Sequence, residues 1–419
     1  MHKNLLLLPV FFLVFSGFSQ VEEARSRVER LCSPEFHGRG YVNGGDSIAA
    51  YYLAAEFEKI GLEHFKSGYF QTFGFPVNTF PGKMEISVGE NRLIPGVDFI
   101  VDPACPALHA ELNLVRLSVP VILNEQQLID TLVKYKEDRS IAYILEEGEY
   151  GKDTNKIIQQ VSRELTAVAP VFYETEEKFT WSVAHTQLSN SLIQIKPGLL
   201  NATTVSVNVE ANLIAKHKAR NVIGYIPGKK HNKKLVFTAH YDHLGRMGEA
   251  TYFPGANDNA SGTAMLLTMA EHFSKNKPEY DICFIAFAGE EAGLIGSDFF
   301  VRNPLFKLDK IAFLINLDIM GSGEEGITVV NATVHPDQFN ELKKLNSELD
   351  LLTVVKERGP AANSDHYWFS EAGVPAIFIY TMGPNKHYHD VDDTYEELSF
   401  AAYEQITRLL IRFTEVVKY

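Results

Sequence analysis

From Asn221 onward, short runs that are apolar at every position alternate with segments whose apolar residues recur at helical spacing. The runs "KKLVFTAH", "DICFIAFAG", "KIAFLINLDIMG" and "VPAIFIY" predict strands buried on both faces. "SGTAMLLTMAEHF" and the final "EELSFAAYEQITRLLIRFTEVV" predict helices. This rhythm predicts an α/β fold with a mixed, mainly parallel sheet covered by helices on both faces. Nearer the N-terminus, residues 44–63 predict a helix with Ile48, Tyr52, Leu53, Phe57 and Ile60 on one face. Asp46 or Ser47 is expected to cap its start and Gly61 its end. Between Pro81 and Ala215 the period changes to two, as in "KMEISVG" and "VSVNVEA", with one helical stretch, "IIQQVSREL". That region predicts an inserted, strand-rich accessory domain. The expected division is 1–20 leader, 21–83 first part of the main domain, 84–210 insertion and 211–419 remainder.

The leader reading rests on "MHKNLLLLPVFFLVFSGFSQ": a basic residue, an apolar run and small residues before Ser19 and Gln20. A membrane span needs about 20 apolar residues, and this run is shorter, so a cleaved signal peptide is favoured over an anchor. The expected location is therefore outside the cytoplasm, periplasmic or extracellular, with no membrane span after cleavage. A formal net charge of −14 argues against nucleic acid as a partner. Three cysteines, Cys32, Cys105 and Cys283, make no disulfide framework, and Cys283 sits in an apolar strand as a small hydrophobe. The glycine-rich "HGRGYVNGG" lacks the Lys-Ser/Thr of a phosphate loop and reads as a loop entering the helix.

Ligands of such sheets bind beyond the carboxyl ends of the strands, and the ionisable residues gather there. His240 and Asp242 end one strand in "TAHYDHLG". Asp258 precedes a helix in "GANDNASG". Glu290 and Glu291 follow a strand in "AGEEAG". Asp318 ends another in "NLDIMG", and His389 follows the last in "HYHDVDDT". Each has an ordinary explanation alone: a satisfied core histidine, a helix cap, a turn acid, a solvated tail. Together they place acids or histidines at five strand ends, which is the donor set of a metal site. Imidazole and carboxylate without thiolate suit zinc, with cobalt or manganese as alternatives. Two histidines and three carboxylates exceed the three protein ligands usual at one catalytic zinc and suit two ions sharing a carboxylate. The doubled glutamate then divides its labour, one as ligand and one as general base.

At this point "AHYDHLG", "GANDNASGTA", "AGEEAGLIGS", "NLDIMG" and "YHDVDDT" together resemble, in order, the M28 family of di-zinc metallopeptidases. The resemblance implies a zinc-exopeptidase-like fold and two zinc ions per chain. It implies that His240 and Asp318 hold one ion, Glu291 and His389 the other, and Asp258 bridges them. Glu290 is implied as general base and acid, and Asp242 as the partner orienting His240. His389 is followed by Asp390 where the family has a small residue, which leaves His387 as a competing ligand. "NSDHYWF", with Asp365 and His366, resembles a family segment beside the pocket, and the insertion lies where many members carry a protease-associated domain.

The implied function is an exported zinc aminopeptidase that hydrolyses the N-terminal bond of peptide substrates with a hydroxide bridging the two ions. A one-zinc glutaminyl cyclase and a carboxypeptidase on the same fold are the rival enzymes. A binding protein without activity is a third reading, against which the full ligand set stands.

Overall fold

The computed structural model describes residues 10–66, 68–148 and 150–416. Among these residues two eight-stranded sheets form. Strands of the first are numbered here in chain order: β1 (Phe70–Thr79), β2 (Asn212–Ile226), β3 (Lys230–His240), β4 (Tyr280–Phe287), β5 (Ile311–Leu317), β6 (Gly326–Val330), β7 (Val355–Glu357) and β8 (Ala376–Met382). Their spatial order is β1-β2-β4-β3-β5-β8-β6-β7. The inner four, β4, β3, β5 and β8, are mutually parallel. β2 runs antiparallel to β4, and β6 antiparallel to β8, so the sheet is mixed, as the sequence predicts.

Alternate side chains of the inner strands enter two apolar layers, because successive residues of a strand point to opposite faces. Phe237, Phe284 and Ile315 pack with Met265, Leu266 and Met269 of the helix Gly262–Lys275 on one face. Val236, Cys283, Ile285 and Leu314 pack with Phe300 and Phe369 on the other. A fully buried side chain of this size contributes about 1.5–3 kcal/mol, so these layers hold the sheet without disulfides. All three cysteines are free and buried.

The second sheet uses strands between Met84 and Val209, including the alternating Thr204–Val209. It is not strands alone. Four of its strands, Leu108–Arg116, Ile141–Glu146, Val171–Glu174 and Leu192–Ile195, run parallel in sequence. The amphipathic helices Glu125–Tyr135 and Lys152–Leu165 make the first two of their three connections.

Some local expectations change. The helix Gly45–Ile60 ends at Gly61, whose φ of 90° suits glycine, but no side chain caps its start. Asp46 is instead buried and paired with His217 at 2.7 Å. The buried face is Ala49, Ala50, Leu53 and Phe57, while Ile48 is exposed. The small alanines let the helix approach the core closely, a constraint that periodicity does not carry. The last helix begins only at Tyr403, because the Phe400 N–H is bonded to the Gly321 carbonyl and Phe400 takes a φ of 53°. The leader expected over 1–20 falls on residues 1–9, outside the described residues, and on the start of the helix Val10–Cys32. No described helix is long and apolar enough to cross a membrane.

Candidate metal centre

The parallel register explains why the expected residues meet. His240 pairs in register with Phe287, three residues before Glu290, and Leu317 with Ile379, one residue before Asp318. The carboxyl ends of β3, β4, β5 and β8 therefore open on one crevice. His240, Asp258 and Asp318 form one close group there, and Asp258, Glu291 and His389 another. His240 Nε2 lies 3.2 Å from Asp258 Oδ1 and 3.4 Å from Asp318 Oδ2. His389 Nε2 lies 3.2 Å from Asp258 Oδ2 and 3.1 Å from Glu291 Oε2. The two oxygens of Asp258 thus face two different groups.

His387 lies apart. It belongs to a separate group with Asp390 and Asp392, and Lys178 neutralises Asp390 there. His389, not His387, faces Asp258 and Glu291.

The loop that carries Asp258 is held from several directions. Asp393 accepts the backbone N–H groups of Asn257 and Asp258 at 2.9 and 3.0 Å. Asn259 donates to the Leu317 carbonyl and accepts from Ile319 N–H, tying the loop to the end of β5. From beneath, the fully buried Arg39 donates to four carbonyls, those of Tyr241, Leu31, Pro254 and Gly255, at 2.6–3.1 Å. The "HGRGYVNGG" loop is therefore a brace under the crevice as well as an entry to a helix. Asn259 and Asn331, each opening an Asn-Ala-Ser/Thr triplet of the glycosylation type, are buried and hydrogen-bonded, so no glycan reaches them.

Asp242 does more than face His240. Its carboxylate accepts the Tyr41 hydroxyl and lies 3.4 Å from the backbone N–H groups of both Glu290 and Glu291. His240 Nδ1 sits 3.1 Å from the Asp242 carbonyl and 3.8 Å from its carboxylate. One side chain thus holds the doubled-glutamate turn and flanks the histidine. The sequence reading assigned nothing to His243, Tyr41 or Arg39. His243 is fully buried, with Nδ1 2.6 Å from Glu291 Oε1. A third His or Asp in "AHYDHLG" was the available signal for it.

Electrostatics match the crowding. Burial opposes ionisation of Asp258, but the imidazoles of His240 and His389 outweigh it and hold the carboxyl well below its ordinary range. Burial likewise opposes charge on His389, yet Glu291 and Asp258 push it up to about 11. Glu290 is driven the other way: burial first, then neighbouring Glu291 and Asp365, raise it well above an ordinary carboxyl. Asp365, fully buried, is pushed up to about 7 by burial.

The residues fit divalent cations. Four buried or half-buried acids, Asp258, Glu290, Glu291 and Asp318, crowd the crevice, and Asp318 Oδ1 has no hydrogen-bond partner. The donors form two groups sharing Asp258, with oxygen and imidazole ligands only, which suits zinc.

Residues 221–414 match the family model for peptidase family M28. The chain is 31% identical over 221 residues to aminopeptidase YwaD of Bacillus subtilis, covering 50% of this chain and 45% of that protein. It is 26% identical over 282 residues to leucine aminopeptidase 1 of Neurospora crassa, covering 62% and 70%. The match thus spans about half the length of the first curated relatives. Among solved structures, the zinc aminopeptidase BSAP from Bacillus subtilis superposes with a TM-score of 0.66 at 19% identity, covering 94% of this chain and 93% of that one. An aminopeptidase from Aneurinibacillus superposes with a TM-score of 0.61 at 20% identity, covering 94% and 92%. At those identities the likeness is one of fold, and it extends over both sheets. The stretch that resembles peptidase family M28, residues 221–414, is the one that carries His240, Asp258, Glu290, Glu291, Asp318 and His389.

Proposed function

We propose that the protein is an exported, zinc-dependent aminopeptidase that removes N-terminal residues from peptides. The observation that carries this reading is the split of Asp258, whose two oxygens face separate His-carboxylate groups 3.2 Å away on each side. His240 and Asp318 would hold one zinc, Glu291 and His389 a second, with Asp258 between them. Two bound zinc ions would lower the pKa of a shared water to near neutrality and polarise the scissile carbonyl. The two curated relatives described above, both named aminopeptidases, support the substrate class.

The chain's own side chains supply the rest. Glu290 takes no part in either close group and is held protonatable by burial. It accepts a proton on its carboxylate from the attacking water and returns it to the leaving amine. Asp242 aims this glutamate and its neighbour by engaging both backbone N–H groups. Residues 21–83 and 211–419 form the catalytic domain in this reading, and 84–210 an accessory insertion. Their separate sheets support that division. The apolar segment before Ser19 supports export, to the periplasm or the medium.

The test is amino-acid release from unblocked and N-acetylated peptides by wild type and Glu290→Gln, each with zinc content measured. The expected result is cleavage of unblocked peptides alone, about two zinc ions per chain, and a loss of 100-fold to 10,000-fold in the variant on the order expected for a general base. Cleavage from the carboxyl end would make it a carboxypeptidase. One zinc with cyclisation of N-terminal glutamine would make it a cyclase.

A further inference from the structure

The two histidines of the crevice are oriented by very different parts of the chain. His240 turns Nδ1 toward the Asp242 carbonyl, two residues away. His389 turns Nδ1 toward the Trp181 carbonyl at 3.0 Å, 208 residues away in the insertion. The pairing is reciprocal, since Trp181 N–H donates to the His389 carbonyl at 2.9 Å. His389 sits at a φ of 54°, a left-handed conformation that a non-glycine residue keeps only when its surroundings hold it. Lys178 adds to the hold by donating to the carbonyls of Lys386 and Tyr388, and it pairs with Asp390.

Trp181 is itself fixed. Its indole is buried, stacks on Phe253 at 4.7 Å and donates to the Val101 carbonyl at 2.8 Å. Phe253 lies five residues before Asp258, so the same indole touches the segment leading to the shared carboxylate.

A histidine that donates Nδ1–H to a carbonyl presents the lone pair of Nε2, and such partners set both the tautomer and the aim of a metal ligand. We propose that the insertion completes the second cation position, with the Trp181 carbonyl and Lys178 acting as positioning groups for His389. The insertion is then part of the metal centre, in addition to any influence on substrate access. This inference rests on the two-zinc reading above.

The test is zinc titration of the full chain against a competing chelator dye, for wild type, Trp181→Ala, Trp181→Phe and Lys178→Met. Trp181→Ala keeps the carbonyl but removes the stack on Phe253 and the indole bond to Val101 that fix it, and is expected to keep one tight zinc and weaken the other by roughly tenfold to hundredfold. Trp181→Phe, which keeps the stack on Phe253, is expected to recover most of that loss. Nitrogen NMR of the zinc-loaded wild type is expected to show His389 as the Nδ1–H tautomer. Two equally tight zinc ions in a folded Trp181→Ala chain would overturn the inference and leave the two-zinc reading standing. If Trp181→Ala does not fold, Lys178→Met decides in the same way: a weakened second zinc supports the inference and an unchanged one overturns it. A wild type that binds no zinc would overturn both.

Discussion

Asp393 accepts the backbone N–H of Asp258 at 3.0 Å, and so grips the main chain of the residue whose side chain joins the two ligand groups. Its other oxygen takes the Asn257 N–H. Asp393→Ala would leave two buried donors unpaired, each costing about 1–3 kcal/mol. Zinc affinity is expected to fall at least tenfold along with stability. Asp393→Asn keeps one acceptor oxygen and is expected to fall between the two. Denaturant melts and zinc titrations on the three proteins check this, and equal zinc affinity in all three would contradict it.

Arg39 donates to four carbonyls beneath the crevice, of which that of Gly255 also accepts the Ala260 N–H. Arg39→Met is expected to destabilise by about 3 kcal/mol or more, the order of several lost hydrogen bonds to a charged group. Arg39→Lys is expected to rescue little. A compact ammonium with three donors does not span the fork of carbonyls that the guanidinium spans. Urea unfolding midpoints read the difference.

Metal removal is expected to lower the melting temperature, because the crowded acids then depend on protonated imidazoles for compensation. Free zinc at 100 times its dissociation constant would restore about 2.7 kcal/mol per site. The same addition to Asp258→Asn is expected to give a clearly smaller rise, since both groups lose the shared carboxylate. Differential scanning of chelated and zinc-loaded protein makes the comparison.

His366 is fully buried, and burial depresses it from its ordinary 6.5 to about 4. The folded form therefore resists a proton that the unfolded chain accepts. The stability it contributes is present above pH 6.5 and is lost as pH falls from 6.5 toward 4. The full change is about 3 kcal/mol at 1.36 kcal/mol per pKa unit. His366→Leu is expected to flatten this part of the stability profile without moving the region above pH 7. Unfolding free energies measured at several pH values for both proteins test the slope.

The sequence alone determined much of the crevice because its chemistry is local. His240, Asp258, Glu290, Glu291, Asp318 and His389 each follow an apolar strand or open a helix, and parallel pairing carries all strand ends to one side. The α/β alternation after Asn221 was legible for the same reason, since burial on both faces leaves an unbroken apolar run. The family resemblance already preferred His389, but both histidines stand in one polar loop, and the fold shows that His389 is the one turned toward Asp258 and Glu291. Ile48 misled, since a period of 3.6 marks a face without saying how closely that face approaches its neighbour. Arg39, Tyr41 and Trp181 became visible only in three dimensions. Their partners are backbone carbonyls or side chains many residues away, and every residue carries the same carbonyl. A hydrogen bond to main chain therefore leaves no mark in composition or spacing, and tertiary structure alone decided which residues hold the ligands in place.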